Sequence, residues 1–210
     1  MNNKVIDTSE FHLDPLDPQK VEGVLKDYET RHVKHKHGGL IFVGSGGGKS
    51  TFCRAQIADS QGKTDFIDAD LVYRLTNAHP CKPGVLPLSP LPWWHMGLEV
   101  VIDIEKRCGI VNQAMIDHGL WAMTTSFDPD DTYLPEGLII VMLPWEEHKN
   151  RIIEKSNGPH YDGGAKPTEA GFALVMDHRN WTERVAKEKG IQIVDSIDQA
   201  VNILRLRENE

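Results

Sequence analysis

The sequence predicts an α/β fold: a doubly wound, five-stranded parallel sheet preceded by a helical extension. Three observations carry that prediction. A short apolar run, Leu40-Ile41-Phe42-Val43, breaks into Gly44-Ser45-Gly46-Gly47-Gly48, after which Lys49-Ser50-Thr51 opens a helical stretch. Further strand-like runs alternate with helical segments, the pattern of repeated βαβ units. One of them, Gly137 to Leu143, is continuously apolar, as a strand covered on both faces must be.

Taken in order, residues 1–38 form an extension ahead of the main domain, 39–210. Asp17-Pro18 is a helix start, and Val21, Val24, Leu25 and Tyr28 fall on one face of the helix that follows. Arg31-His-Val-Lys-His-Lys-His37 is a basic, His-rich connector, expected to be flexible and solvated. His32, His35 and His37 are metal-ligand types, but no carboxylate or Cys accompanies them. After the first strand a helix is expected over about Lys49–Asp59. Gln61-Gly62-Lys63 is a turn, and Thr64–Asp68 is the second strand. Residues 78–94 carry Pro80, Pro83, Pro87, Pro90 and Pro92 and are expected to be irregular.

A helix is then expected over His95–Asp117, where Leu98, Val101, Ile102, Ile110, Val111 and Met115 give apolar spacing. Leu120–Thr125 and Gly137–Leu143 are the third and fourth strands. Glu146–Lys155 is a helix, Ser156–Pro167 a polar Gly/Pro-rich loop, and Thr168–Lys189 a long helix. Ile191–Val194 is the last strand, and Ser196 caps a final helix running to about Arg207. Right-handed crossovers would place every strand's C-terminal end, and so the chemistry, along one edge of the sheet.

Composition narrows the function classes. The chain has 210 residues, with 23 Lys and Arg against 31 Asp and Glu, a net charge of −8. That balance excludes extended duplex binding as a leading reading, because phosphate neutralisation would need a local basic patch. A mononucleotide or a short single strand remains compatible. Cys53, Cys81 and Cys108 are widely spaced, so neither a zinc ribbon nor a disulfide framework is expected, and a reducing compartment fits. No apolar signal segment opens the chain and no run reaches the length of a membrane span. The expected location is cytoplasmic, with no membrane partner.

The glycine segment carries the chemistry. Glycines at Gly44, Gly46, Gly47 and Gly48 let backbone N–H groups turn inward around phosphate oxygens, with Ser45 between them. Lys49 is placed to reach the β- and γ-phosphates, Ser50 to offer a hydroxyl to Mg²⁺, and Thr51 continues the helix start. Relative to the pattern Gly-x-x-x-x-Gly-Lys-Ser/Thr, Val43 stands at the leading glycine position. Either the loop is one residue tighter, or Val43 takes that place and ends the strand.

Asp68-Ala69-Asp70 closes the second strand, and carboxylates two positions apart share a face. One, Asp68, can hold Mg²⁺, and the other, Asp70, can orient or deprotonate an attacking hydroxyl; a turn and helix cap is the alternative. Arg74, one helical turn after Asp70, can hold an anionic group of the acceptor or form a surface ion pair. Arg151 and Lys155, four apart on one helix, can neutralise charge on a moving phosphoryl group. His160 and Lys166 lie in the loop beyond. Arg179 can reach back from the long helix. Trp93-Trp94 can stack a base or anchor the Pro-rich stretch.

Together, Gly44–Thr51, Asp68-Ala-Asp70, Leu143-Pro-Trp-Glu-Glu through Arg151, and Ile191-Gln-Ile-Val-Asp195 resemble the nucleoside monophosphate kinase-like branch of P-loop kinases. The resemblance covers about residues 39–207. It implies Mg-ATP as donor, a substrate-binding segment after the second strand, and a lid over the phosphates near 156–167. Asp68-Ala-Asp70 and Arg179-Asn-Trp-Thr-Glu-Arg-Val-Ala186 are similar to shikimate kinases. Where those carry a Gly-Gly-Gly loop after the third strand, this chain reads Thr124-Thr-Ser-Phe-Asp128. Asp70-Leu-Val-Tyr-Arg74 and Leu143-Pro-Trp-Glu-Glu look like polynucleotide 5′-kinases, in which an Asp is the base and a nearby Arg a substrate contact.

The expected activity is ATP- and Mg²⁺-dependent phosphoryl transfer to a nucleotide or nucleoside monophosphate. A 5′-hydroxyl nucleic acid is the alternative acceptor and a small shikimate- or gluconate-like metabolite the third. A different class, an acceptor-independent NTPase or nucleotide-binding regulator, would lose phosphate to water whatever acceptor is offered.

Overall fold

The structure, a computed structural model, describes residues 14–79, 98–157 and 167–210. Trp93, Trp94, His160, Lys166, Cys81, most of the Pro-rich stretch and most of the 156–167 loop lie outside the described residues. Five strands form one sheet: β1 Gly39–Val43, β2 Phe66–Asp68, β3 Trp121–Thr124, β4 Leu138–Val141 and β5 Gln192–Val194. Their order is β2-β3-β1-β4-β5, and every pairing is parallel. Between them run α1 Pro18–Arg31, α2 Lys49–Ala55, α3 Ala69–Thr76, α4 Leu98–Asp117, α5 Trp145–Ser156, α6 Glu169–Lys189 and α7 Ile197–Glu208.

The period-2 alternation of β1 divides the core into two layers. Leu40 and Phe42, with Ile67, Ala122, Leu138 and Ile140, face helices α1, α3, α4 and α6. Ile41 and Val43, with Phe66, Met123, Ile139 and Val141, face α7 and the Phe52–Cys53 side of α2. Helices therefore cover both faces, and the apolar reading of β1 and β4 follows from that cover: all their residues are buried. β5, at the edge, is half exposed and correspondingly less apolar.

Capping explains where several helices begin. Asp17 accepts from the Gln19 amide at 2.9 Å ahead of α1, Thr168 from the Gly171 amide at 3.1 Å ahead of α6, and Ser196 from the Gln199 amide at 3.3 Å ahead of α7. The helix expected over 49–59 is shorter, ending at Ala55. Gln56 leaves the helical region to pair its amide with the Phe66 backbone, donating to the carbonyl and accepting from the N–H, both at 2.7 Å. This side chain satisfies the free edge of β2, a demand that periodicity along α2 does not encode.

The connector before β1 also differs from the flexible linker expected of it. The Val33 amide donates to Thr64 O at 3.0 Å and the His35 amide to Gly119 O at 2.8 Å. His35 is buried with its ring stacked on Trp121, 3.5 Å between centroids, and Glu208 accepts from the Lys36 and His37 amides. His32, His35 and His37 thus have separate structural roles, and no cluster of three potential metal ligands occurs among the described residues. Helix α1 buries Val21, Leu25 and Tyr28 in the same core as the sheet.

Since all strands run parallel, the loop after β1, Asp68 at the end of β2, Thr125 after β3 and Leu143 after β4 sit along one edge. β1 is central, and the chain leaves it toward β2 on one side but later crosses to β4 on the other. In parallel sheets, such a reversal of strand order marks the position outside the strand ends where ligands bind.

Candidate functional site

Val43 is the last residue of β1 and is buried, so it ends the strand at the leading glycine position. The turn is tight: the Gly47 amide donates to Gly44 O at 2.8 Å, and a Cβ on Gly47 would stand 2.6 Å from Val43 Cγ1. Gly46 and Gly48 have φ of +84° and +99°, the left-handed region in which a side chain is strained. Gly48 directs the chain into α2, whose first-turn amides have no carbonyl partner of their own. Ser50 is half-buried at this helix start and Thr51 is exposed.

Two residues of α5 brace the loop, His148 through Ser45 O at 2.8 Å and Arg151 through Gly47 O. Arg151 donates through Nη1 to Gly47 O and through Nη2 to Glu147 Oε1, both at 2.6 Å. A Cβ on Gly48 would lie 2.6 Å from the same Arg151 Nη1. We therefore expect Gly48→Ala to lower stability by about 1–3 kcal/mol through backbone strain, and further by displacing Arg151. Gly62→Ala is the control, since Gly62 has φ +79° and open space around it. Thermal melts giving equal losses for the two variants would disprove the Arg151 contribution.

Lys49 is 5 % exposed and ion-paired with two carboxylates, Asp68 through Oδ1 and Asp70 through Oδ2, the latter at 2.8 Å. Ser50 Oγ donates to Asp68 Oδ2 at 2.7 Å. Asp68 also accepts from the Asp70 amide at 3.2 Å, capping α3. The cap of α3 and the contacts with Lys49 and Ser50 thus fall on one residue. Asp70 itself lies in the first turn of α3, not on the strand, and the carboxylates converge because Lys49 sits between them. Thr125 Oγ1 donates to Asp70 Oδ1 at 3.1 Å.

Electrostatics follow from this packing. Burial works against the Lys49 ammonium, but Asp70 and Asp68 outweigh it and hold its pKa above the ordinary value. Burial likewise works against the Asp70 carboxylate; Lys49, then His79 and Thr125, hold it below the usual carboxylate range. Asp70 is therefore ionised and fixed in orientation. Burial pushes His79 down to about 4 and Cys53, below the loop, up to about 12. A thiol shifted this way carries little thiolate at neutral pH.

The remaining candidates are placed unevenly. Arg74 is half-buried one turn along α3, and its Nε has no hydrogen-bond partner among the described residues. Arg179 reaches back as expected, but to the loop's supports: Nη2 donates to Leu143 O at 2.9 Å and Nη1 contacts His148 Nδ1 at 3.2 Å. Lys155 is exposed, one turn beyond Arg151 on α5. Trp93 and Trp94 lie outside the described residues.

Thr125 and His148 were not singled out by the sequence reading. His148 had a usable signal, its i, i+3 spacing from Arg151, which puts both on one helix face. Thr125 had none, because its contact with Asp70 spans 55 positions.

No protein-family model matches the chain, and no curated protein and no solved structure matches it either. No helix among the described residues is long and apolar enough to cross a membrane.

Proposed function

We propose that the chain is a P-loop phosphotransferase that moves the γ-phosphoryl group of Mg-ATP to a nucleotide or nucleoside monophosphate. One observation carries the reading: a buried lysine at the mouth of a glycine turn, held between two carboxylates and beside a hydroxyl that bonds one of them. Phosphoryl transfer needs positioned cations, oriented donors and an oriented acceptor hydroxyl, and little covalent chemistry.

The residues present fit such a donor. The glycine turn is packed so closely that a Cβ on Gly46, Gly47 or Gly48 would press on Ile152, Val43 or Arg151, which suits a turn whose amides face a phosphate, and Ser50 Oγ with the Asp68 carboxylate makes a hard-oxygen pair. Mg²⁺ is held in this way, by one or two protein oxygens together with substrate phosphates. When bound, it neutralises charge on the phosphate oxygens. Lys49 contributes a buried positive charge at the loop, and donor phosphates would compete with Asp68 and Asp70 for it. Asp70, ionised and fixed by Thr125, accepts a hydrogen bond from the acceptor hydroxyl and orients it. Arg151 holds the loop through Gly47 O, a supporting role, while Lys155 supplies positive charge nearby. Arg74, one helical turn beyond Asp70 on α3, would add positive charge for an anionic acceptor.

That last feature suits a nucleotide acceptor and equally a 5′-hydroxyl strand, whose neighbouring phosphate is anionic. The strand is therefore the second reading, and a small hydroxylated carboxylic acid the third. The test is transfer of label from γ-labelled ATP with Mg²⁺ to nucleoside monophosphates, 5′-hydroxyl oligonucleotides, and shikimate or gluconate. Label should move to one class, and Asp70→Asn should slow it by about 10²–10⁴-fold. Label released only as free phosphate, whatever the acceptor, would instead establish an NTPase or regulator.

A further inference from the structure

We infer that His148 is a positioning residue of the phosphate-binding loop, held in one tautomer by Arg179. This rests on the proposed nucleotide-binding role of that loop. His148 is buried on α5 with its Nε2 2.8 Å from Ser45 O. A backbone carbonyl only accepts, so Nε2 carries the proton. Nδ1 is then a lone pair, and it faces Arg179 Nη1 at 3.2 Å, which only donates. Each nitrogen thus has a partner of the opposite kind, and one neutral tautomer satisfies both.

Neutrality is reinforced by the surroundings. Burial lowers the His148 pKa, and the Arg179 and Arg151 charges lower it further, against the bond to Ser45. Arg179 is itself fixed by Leu143 O at 2.9 Å and lies over the Trp145 ring, 5.7 Å from its centroid. A chain of contacts therefore runs from α6 through α5 into the loop.

The consequence concerns peptide orientation. In a phosphate-binding turn the N–H groups must face the ligand, so the intervening carbonyls must face away and be satisfied elsewhere. His148 takes the Ser45 carbonyl and Arg151 the Gly47 carbonyl. The loop's ligand-facing surface is preorganised by two side chains on its far side.

The first arm of the test uses the protein without nucleotide. Nitrogen-15 NMR of the imidazole should show the Nε2–H tautomer at pH 7, and Arg179→Met should lose that single-tautomer signature. A ring protonated at Nδ1, or one unaffected by Arg179→Met, overturns the inference without touching the kinase reading. The second arm measures Mg-ATP affinity by calorimetry. His148→Leu should weaken it by about tenfold, the scale of leaving one buried carbonyl unpaired. His148→Gln, whose amide can donate to Ser45 O and accept from Arg179, should recover most of the loss.

If the leucine variant fails to fold, the glutamine variant and Arg179→Met carry the comparison. Equal affinity in wild type and the leucine variant, or no recovery with glutamine, sinks the inference. Wild-type protein that binds no Mg-ATP while showing the expected tautomer sinks instead the reading on which this arm rests.

Discussion

Lys49→Met should lower the proposed phosphotransfer by about 10³-fold or more, since it removes a buried charge from the site where phosphoryl charge would develop. The same change should destabilise the fold. Lys49 is buried between Asp68 and Asp70, and breaking a buried pair by deleting one partner costs about 3–5 kcal/mol. Lost activity in this variant alone would therefore have two explanations. Asp70→Asn in the Lys49→Met background separates them, because it removes one of the stranded carboxylates. The double variant should melt higher than Lys49→Met and remain inactive. Transfer within tenfold of wild type at saturating ATP in Lys49→Met would end the proposed role of the lysine. A double variant that melts no higher than the single one would mean that Asp70 is not left stranded.

Much of this architecture is legible locally. The β1 strand, the glycine turn and Lys49 lie within eleven consecutive residues, and backbone geometry alone fixes their relation. Asp68 was visible because it ends a strand, and parallel strands share one edge. What escapes is whatever depends on distant packing. Gln56 ends α2 early to satisfy an edge strand ten positions away. The histidine connector is basic and polar, as flexible linkers are, yet Thr64 and Gly119 supply it with backbone partners and Trp121 with a stacking face. Arg179 was visible as a cation able to reach back, but its target was not: it meets a histidine 31 positions away, not a phosphate. Charge pattern indicates which residues can act on phosphate; only the fold decides which touch the loop's far side.

Glu105→Gln should stabilise the protein at alkaline pH and leave it little changed at acid pH. Glu105 lies on α4, bonded to Ser126 Oγ, and burial raises its pKa from an ordinary 4.5 to about 7, with Asp128 and Asp131 adding to the effect. Between about pH 4.5 and pH 7 the folded chain keeps a proton that the unfolded chain has lost. The folded state binds more protons there, so stability falls as pH rises through that window and is level above it. Glutamine is neutral throughout and escapes the fall. At pH 8 the gain is at most about 3 kcal/mol, which for a chain of this size raises Tm by roughly 2–4 °C per kcal/mol. The Tm gap should close as pH approaches 4.5, and a gap independent of pH would refute the account. The position matters for the site as well. The Ser126 carbonyl accepts from Asn112 and from Thr124, and both of these bond Tyr73 of α3, the helix that carries Asp70. An ionised Glu105 loads negative charge onto the loop whose Thr125 orients Asp70. Glu105→Gln should accordingly hold the proposed transfer activity to higher pH than wild type, in parallel with the melting data.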